Sequence, residues 1–120
     1  MRRKPTWFYD ETFMQNFYFF LGWKPKLIEN YMNKQGWLVD LGFFDGKCGY
    51  CVELSAAKNK GAIIIWTKER PKTPESFSVL AHECLHATNI LFESRGVKAD
   101  FGNDEAQAYM LALLIRKALG

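Results

Sequence analysis

Apolar positions along the chain fall into runs that predict alternating strands and helices. The run from Thr12 to Leu21 is rich in Phe and Tyr and ends at Gly22, which predicts a strand, with a short buried helix as the alternative. In Pro25 to Gln35, apolar residues recur at helical spacing between a proline at the start and Gly36 just past the end. That segment is predicted to be an amphipathic helix.

The middle of the chain predicts three more strands. The segments WLVDLGFF and KCGYCVEL flank Asp45-Gly46, a dipeptide suited to the positive φ angles of a tight turn, so they predict an antiparallel hairpin. The β-branched run AIIIWT, Ala62 to Thr67, is too short for a helix and predicts a further strand.

Two helices are expected to complete the chain. Thr73, Pro74 and Glu75 supply a cap, a first-turn proline and an acidic residue for a long helix that ends at Gly96. A last helix of about 15 residues, capped by Asn103 or Asp104, runs to the C-terminus. The order strand, helix, three strands, helix, helix predicts an α+β fold with an antiparallel or mixed sheet of about four strands. No linker divides the 120 residues, so residues 1–120 are expected to form one domain.

The long helix contains both histidines of the chain, in the stretch SVLAHECLHATNI. His82 and His86 are separated by about 6 Å along a helix axis and by about 40° in rotation, so both imidazoles can converge on one ion. With Glu83 they form a His-Glu-Xaa-Xaa-His pattern, in which zinc acidifies a water and the glutamate takes its proton. The alternative is a pair of hydrogen-bonded core histidines with Glu83 as their partner.

A catalytic zinc needs a third protein ligand, and the chain has no further histidine. Glu93 lies about 10 Å beyond His86 along the helix, which is too far to share the ion. Cys84 points to the opposite side of the helix, so neither residue is a candidate for the third ligand. Glu105 is favoured, because it precedes an apolar run in the first turn of the last helix, where an unpaired buried carboxylate would be costly. Asp104, whose simplest role is helix capping, and Asp100 are the competitors.

Composition narrows the choice of partners and compartment. The net charge is only +3 and the basic residues are dispersed, so no nucleic-acid partner is expected. No signal peptide or run of roughly 20 apolar residues is present, which predicts a cytoplasmic protein without a membrane partner. The three cysteines indicate reduced thiols. Cys48 and Cys51 form a Cys-Xaa-Xaa-Cys pair that is interpreted as apolar packing, with a metal or redox role as the alternative.

The motifs HECLH and NDEAQAY resemble those of the gluzincin class of zinc metallopeptidases, and the layout is similar to minigluzincin domains and to ImmA/IrrE-type peptidases of mobile elements. The resemblance covers Thr73 to Leu119, and before that only the order of elements. It implies a small zincin-like domain with one Zn²⁺ per chain on His82, His86 and Glu105, and with Glu83 as general base and proton shuttle. It also implies that the strand AIIIWT lies beside the cleft and pairs with an extended substrate.

The expected function is therefore that of a zinc-dependent endopeptidase acting on a peptide or protein. The alternative is a zinc-stabilised binding or regulatory module of the same fold without efficient turnover. It is kept because no residue can be assigned to stabilise an oxyanion, and Tyr109 is interpreted as a packing residue. A structural protein without metal is the third possibility.

Overall fold

A computed structural model gives the fold of the chain and describes residues 3–37, 39–41, 44, 46–56, 59–98, 100–102 and 104–120. Along these residues the elements are β1 (Thr6–Asp10), β2 (Gln15–Leu21), α1 (Pro25–Lys34), β3 (Gly49–Ala56), β4 (Asn59–Thr67), α2 (Pro74–Ser94) and α3 (Glu105–Leu119). The expected α+β class with a four-stranded mixed sheet and three helices is confirmed.

The sheet has the strand order β1-β2-β4-β3. β1 pairs with β2 and β3 pairs with β4 in antiparallel fashion, whereas β2 and β4 run parallel although α1 and β3 lie between them in the chain. β4 is therefore paired on both sides, and β3 forms an edge of the sheet. The expectation that the strand AIIIWT pairs with a substrate is wrong, because both of its edges are already hydrogen-bonded to neighbouring strands.

Side chains of the two inner strands alternate between two buried layers. Phe17 and Ile63 pack beneath α2 and α3, while Phe20 and Ile64 pack beneath α1 with Ile28. Because the sheet is covered on both faces, β4 is apolar at consecutive positions and shows no alternation of polar residues.

The N-terminal half differs from the sequence prediction in two places. The single strand predicted over Thr12 to Leu21 is β2 alone, and β1 precedes it across a turn at residues 11–14. The predicted strand WLVDLGFF is wrong for its described residues, because Trp37, Leu41 and Phe44 form no strand and are buried against the α1 face of the sheet. Their apolar character comes from covering that face as a loop.

The predicted hairpin around Asp45-Gly46 is replaced by a different one. β3 instead pairs antiparallel with β4, the next strand of the chain, and residues 57 and 58 between them lie outside the described residues. Residues 38, 42, 43 and 45 of the predicted hairpin also lie outside them, while Gly46 has the expected positive φ of 80°.

Both ends of α2 are fixed by side-chain hydrogen bonds. At its start, the Ser76 N–H donates to Thr73 Oγ1 at 3.2 Å, and the Thr73 N–H donates to Ser76 Oγ at 2.8 Å. Just past its end, Arg95 Nε and Nη2 donate to the Phe13 carbonyl at 3.1 and 2.6 Å, and Nη2 also donates to Gln15 Oε1 at 3.2 Å. The predicted start of the helix is confirmed, and Arg95, the residue that follows its last turn, is tied to the turn between β1 and β2.

The last helix has the predicted extent, but its start is not capped as expected. Asp104 stands at the N-cap position of α3 and makes no side-chain capping bond, and Asn103 lies outside the described residues. Among the described residues, no helix combines the length and the apolar character needed to cross a bilayer.

The packing of α2 can be tested with two leucines of that helix. Leu91 is fully buried on the side of α2 that faces the core, whereas Leu85 is 39% exposed on the outer side of the helix. We expect Leu91→Ala to lower the free energy of unfolding by about 2 to 5 kcal/mol and Leu85→Ala by under about 1 kcal/mol. Urea denaturation in the presence of a chelator measures both, and equal losses would contradict the orientation of α2.

Candidate metal centre

The two histidines meet on the outer side of α2. Both side chains are exposed, and their Nε2 atoms lie 3.1 Å apart with the ring planes at 79°. The alternative in which they are core histidines is wrong, because α2 buries Leu80, Cys84 and Leu91 on its opposite side.

The separation of the two nitrogens suits a shared cation. Two imidazole nitrogens at about 2.0 to 2.1 Å from a tetrahedral zinc are about 3.3 Å apart. The 3.1 Å between His82 and His86 also permits a hydrogen bond in which one neutral ring donates to the other. Either arrangement brings the two Nε2 atoms to one point on the outer side of α2.

Glu83 lies beside the pair at the boundary between surface and core. Its residue is 7% exposed, and burial raises the pKa of its carboxyl group while the two imidazoles act in the opposite direction. A buried carboxyl group that lines a cavity has the environment of a general base.

A glycine of β3 makes room for Glu83. A Cβ atom added at Gly49 would lie 2.8 Å from Val79 Cγ1, 3.0 Å from Glu83 Cγ and 3.1 Å from the Trp66 carbonyl oxygen. The edge strand therefore contacts α2 at the level of Glu83 only because residue 49 has no side chain. Gly49 therefore sets how closely β3 approaches α2 beside Glu83.

A cavity of about 750 Å³ opens beside the two histidines, between α2 and the edge strand. Its lining residues come from β3 and the loop before it and from one side of α2: Lys47, Cys48, Gly49, Tyr50, Cys51, Ser78, Val79, His82, Glu83, His86 and Ile90. Cys48 and Cys51 thus belong to the site, which sequence reasoning missed. Their Cys-Xaa-Xaa-Cys spacing was the available signal, but it did not indicate which helix the strand would face.

The three thiols have different surroundings. Cys48 is exposed, Cys51 is half-buried and Cys84 is fully buried in the core, as expected for Cys84. Burial, followed by the charge of Glu83, raises the pKa of Cys51 well above its usual range, and the same causes raise the pKa of Cys84 to about 12. Cys48 is the accessible thiol of this site.

The structure does not bring Glu105 to the two histidines. Glu105 is the exposed first residue of α3, and Leu114, buried against the core, follows nine residues later, on the opposite side of the helix. The assumption that Glu105 is buried is therefore wrong, and its role as third ligand stays a prediction. The start of α3 does return to α2 as expected, since Gln107 Nε2 donates to Asn89 Oδ1 at 2.6 Å.

The other candidates near the start of α3 also lie outside the cavity. Asp100 and Asp104 are exposed, and the Asp100 carboxylate accepts from the Gly102 N–H at 2.8 Å. Tyr109 is 67% exposed, so its interpretation as a packing residue is wrong. Within the described part of the chain, no group of three His, Cys, Asp or Glu residues is arranged to hold a metal ion. Two of the expected donors are assembled, and the third is not.

Comparisons with known proteins give no relative from which a function could be transferred, so the proposal below rests on the site itself. No protein-family model, no curated protein and no solved structure matches this chain.

The contact at Gly49 predicts a measurable cost for a single methyl group. We expect Gly49→Ala to lower the free energy of unfolding by about 1 to 3 kcal/mol, because the new Cβ overlaps Val79 and Glu83. Val79→Ala in the same chain should recover part of that loss, which a double-mutant cycle detects. Gly102→Ala is the control, because its Cβ would meet its nearest atom only at 3.4 Å. Equal effects of the two glycine substitutions would contradict this contact.

The thiols predict a labelling pattern in the native protein. At about pH 8, iodoacetamide should label Cys48 rapidly and leave the other two cysteines unmodified until denaturant is added. For Cys84, a rise of the pKa from 9.0 to about 12 makes the reactive thiolate roughly a thousandfold scarcer. Mass spectrometry of labelled peptides measures this. Rapid labelling of a Cys48→Ser variant would contradict the placement of the three thiols.

Proposed function

We propose that the protein is a small zincin-like, zinc-dependent endopeptidase that holds one Zn²⁺ per chain. The observation that carries the proposal is the joint placement of His82, His86 and Glu83 on one cavity, with the imidazole nitrogens 3.1 Å apart. Their separation fits two ligands of one tetrahedral ion. A chance arrangement of surface histidines would not require a buried carboxyl group beside them.

In this proposal, each residue has a distinct role. A bound zinc would acidify a water molecule and polarise the carbonyl group of the peptide bond. His82 and His86 would hold the ion through their Nε2 atoms. Glu83 accepts a proton from the attacking water and later donates it to the leaving amine. Because Gly49 has no side chain, the strand leaves space for Glu83 and Val79 at the cavity wall.

The substrate is proposed to bind along β3. This strand forms one edge of the sheet, and Gly49, Tyr50 and Cys51 line the cavity that contains the two histidines. An extended peptide can add to such an edge through main-chain hydrogen bonds, which would place its backbone beside Glu83. In this proposal β3, and not the strand AIIIWT, pairs with the extended substrate.

Glu105 remains the proposed third ligand. The hydrogen bond between Gln107 and Asn89 joins the first turn of α3 to α2 one turn beyond His86. Binding by Glu105 requires this first turn to rotate, and Asp104 makes no capping bond that would resist the rotation. Zinc ligation would supply the free energy for the rearrangement.

A second function is favoured by one observation. Only two of the three proposed ligands are assembled in the described residues. Tyr109, one turn beyond Glu105 in α3, is exposed to solvent, and no other residue is assigned to stabilise an oxyanion. The same chain could therefore be a zinc-stabilised binding or regulatory module without efficient turnover.

Four variants separate these functions. We expect purified wild-type protein to contain about one zinc per chain and to cleave a peptide library. His82→Ala should lose the zinc, whereas Glu83→Gln should keep it and lose at least about a hundredfold in activity, because only the proton transfer is removed. Glu105→Gln should weaken zinc binding by tenfold or more. Glu93 is an exposed glutamate of α2, the helix that carries the two histidines. Glu93→Gln is therefore the control and should match wild type.

The outcomes are distinct for each function. Full activity in Glu83→Gln would contradict its role as base, and absence of zinc from wild-type protein would contradict both functions. One zinc per chain without cleavage of any library member would favour the binding module. Zinc affinity in Glu105→Gln equal to that of Glu93→Gln would exclude Glu105 as a ligand.

A further inference from the structure

A second cavity with a strongly basic wall lies near the start of α2. It has a volume of about 400 Å³, and four basic side chains line it against one acidic side chain, Glu69. The basic residues are Arg3, Lys68, Arg70 and Lys72. This is a concentration of charge in a chain whose basic residues are otherwise dispersed.

These basic side chains form no ion pair within the described part of the chain. None of the four basic residues forms a salt bridge with another described residue, although Glu69 is in the same wall. Arg3 is held in place, since its Nη2 donates to the Leu21 carbonyl at 3.1 Å and its guanidinium lies 4.8 Å from the Trp23 ring centroid. A fixed guanidinium among uncompensated charges is suited to bind a carboxylate.

A third, smaller cavity of about 220 Å³ lies between the basic cavity and the candidate metal centre. It shares Cys48 and Val79 with the cavity at the histidines, and it shares Lys68, Glu69 and Ser76 with the basic cavity. The three cavities therefore follow one another along the N-terminal half of α2.

The length of this path corresponds to a few residues of an extended peptide. Thr73 and Ser76 of the basic cavity precede His82 by about 9 to 14 Å along the helix axis. An extended chain advances about 3.3 Å per residue, so the basic cavity lies about three to four residues from the histidines.

We propose that the protein selects extended peptides with an acidic side chain about three to four residues from the bond at the two histidines, and that Arg3, Arg70 and Lys72 bind this carboxylate. The position of the cleaved bond rests on the proposed function, whereas the binding preference does not. A peptide is favoured over a nucleic acid because the positive charge is confined to one cavity, with Glu69 in its wall and Glu75 in the adjoining one. Among the described strands β3 is also an edge of the sheet, to which an extended peptide can add through main-chain hydrogen bonds.

Peptide binding to the full-length Glu83→Gln protein tests the proposal without cleavage. The probes are fluorescein-labelled peptides in which one Glu is moved along an otherwise neutral sequence, with Gln at the same positions as reference. We expect the best Glu peptide to bind at least about tenfold more tightly than its Gln counterpart in fluorescence anisotropy, with the difference shrinking as salt is added.

Substitutions in the basic cavity identify where the acidic side chain binds. Arg70→Glu with Lys72→Glu should remove the preference for Glu, and the milder Arg70→Gln with Lys72→Gln should reduce it if the charge reversal impairs folding. Lys98→Glu with Arg116→Glu is the matched control, since both residues are exposed and neither lines the basic cavity, and it should keep the preference.

The remaining outcomes either overturn the inference or separate it from the proposed function. Equal binding of Glu and Gln peptides, or an unchanged preference in both cavity variants, would overturn the inference even if wild-type protein cleaves peptides. The labelled Glu peptide can also be displaced with a single-stranded oligonucleotide. If this takes a lower concentration than displacement by the unlabelled Glu peptide, the cavity would be assigned to nucleic acid and the inference would be overturned. A preference for Glu in a protein that neither binds zinc nor cleaves peptides would support the inference and contradict the proposed function.

Discussion

The burial of one side of α2 against the sheet determines where any chemistry of this protein can take place. Leu80, Cys84 and Leu91 are at most 1% exposed and lie on one stripe of the helix. With this stripe fixed by apolar contacts, the helical repeat places His82 and His86 on the outer side. Glu83 falls between the two sides, where it is partly removed from water and still faces the cavity.

The sequence predicted those parts of the fold whose signals are local. α2 was found because a cap and a proline stand at its start and a glycine follows its end, and β4 because its β-branched run is short. The run WLVDLGFF was misassigned because an apolar loop that covers a sheet and an apolar strand contain the same residue types. Which strands pair was also not predictable, because the parallel pairing of β2 with β4 joins segments that α1 and β3 separate in the chain.

In the candidate site, too, local features were predictable from the sequence and contacts between distant segments were not. The neighbourhood of His82 and His86 follows from their spacing on one helix, so the sequence alone was sufficient. The position of Glu105 depends on how α3 is rotated, and the buried residue Leu114 turns Glu105 toward solvent. Cys48 reaches the cavity through a strand pairing that no local pattern encodes. Contacts between distant segments were therefore the part that sequence reasoning could not supply.

The hydrogen bonds at the two ends of α2 also determine the order in which the helix can open. Helices lose structure first at their termini, where the backbone groups have the fewest partners. Here Ser76 and Thr73 hold the first turn, and Arg95 fastens the last turn to the carbonyl of Phe13. Fraying from either side must break these bonds before it reaches the central turns, so the two imidazoles belong to the segment of the helix that melts last.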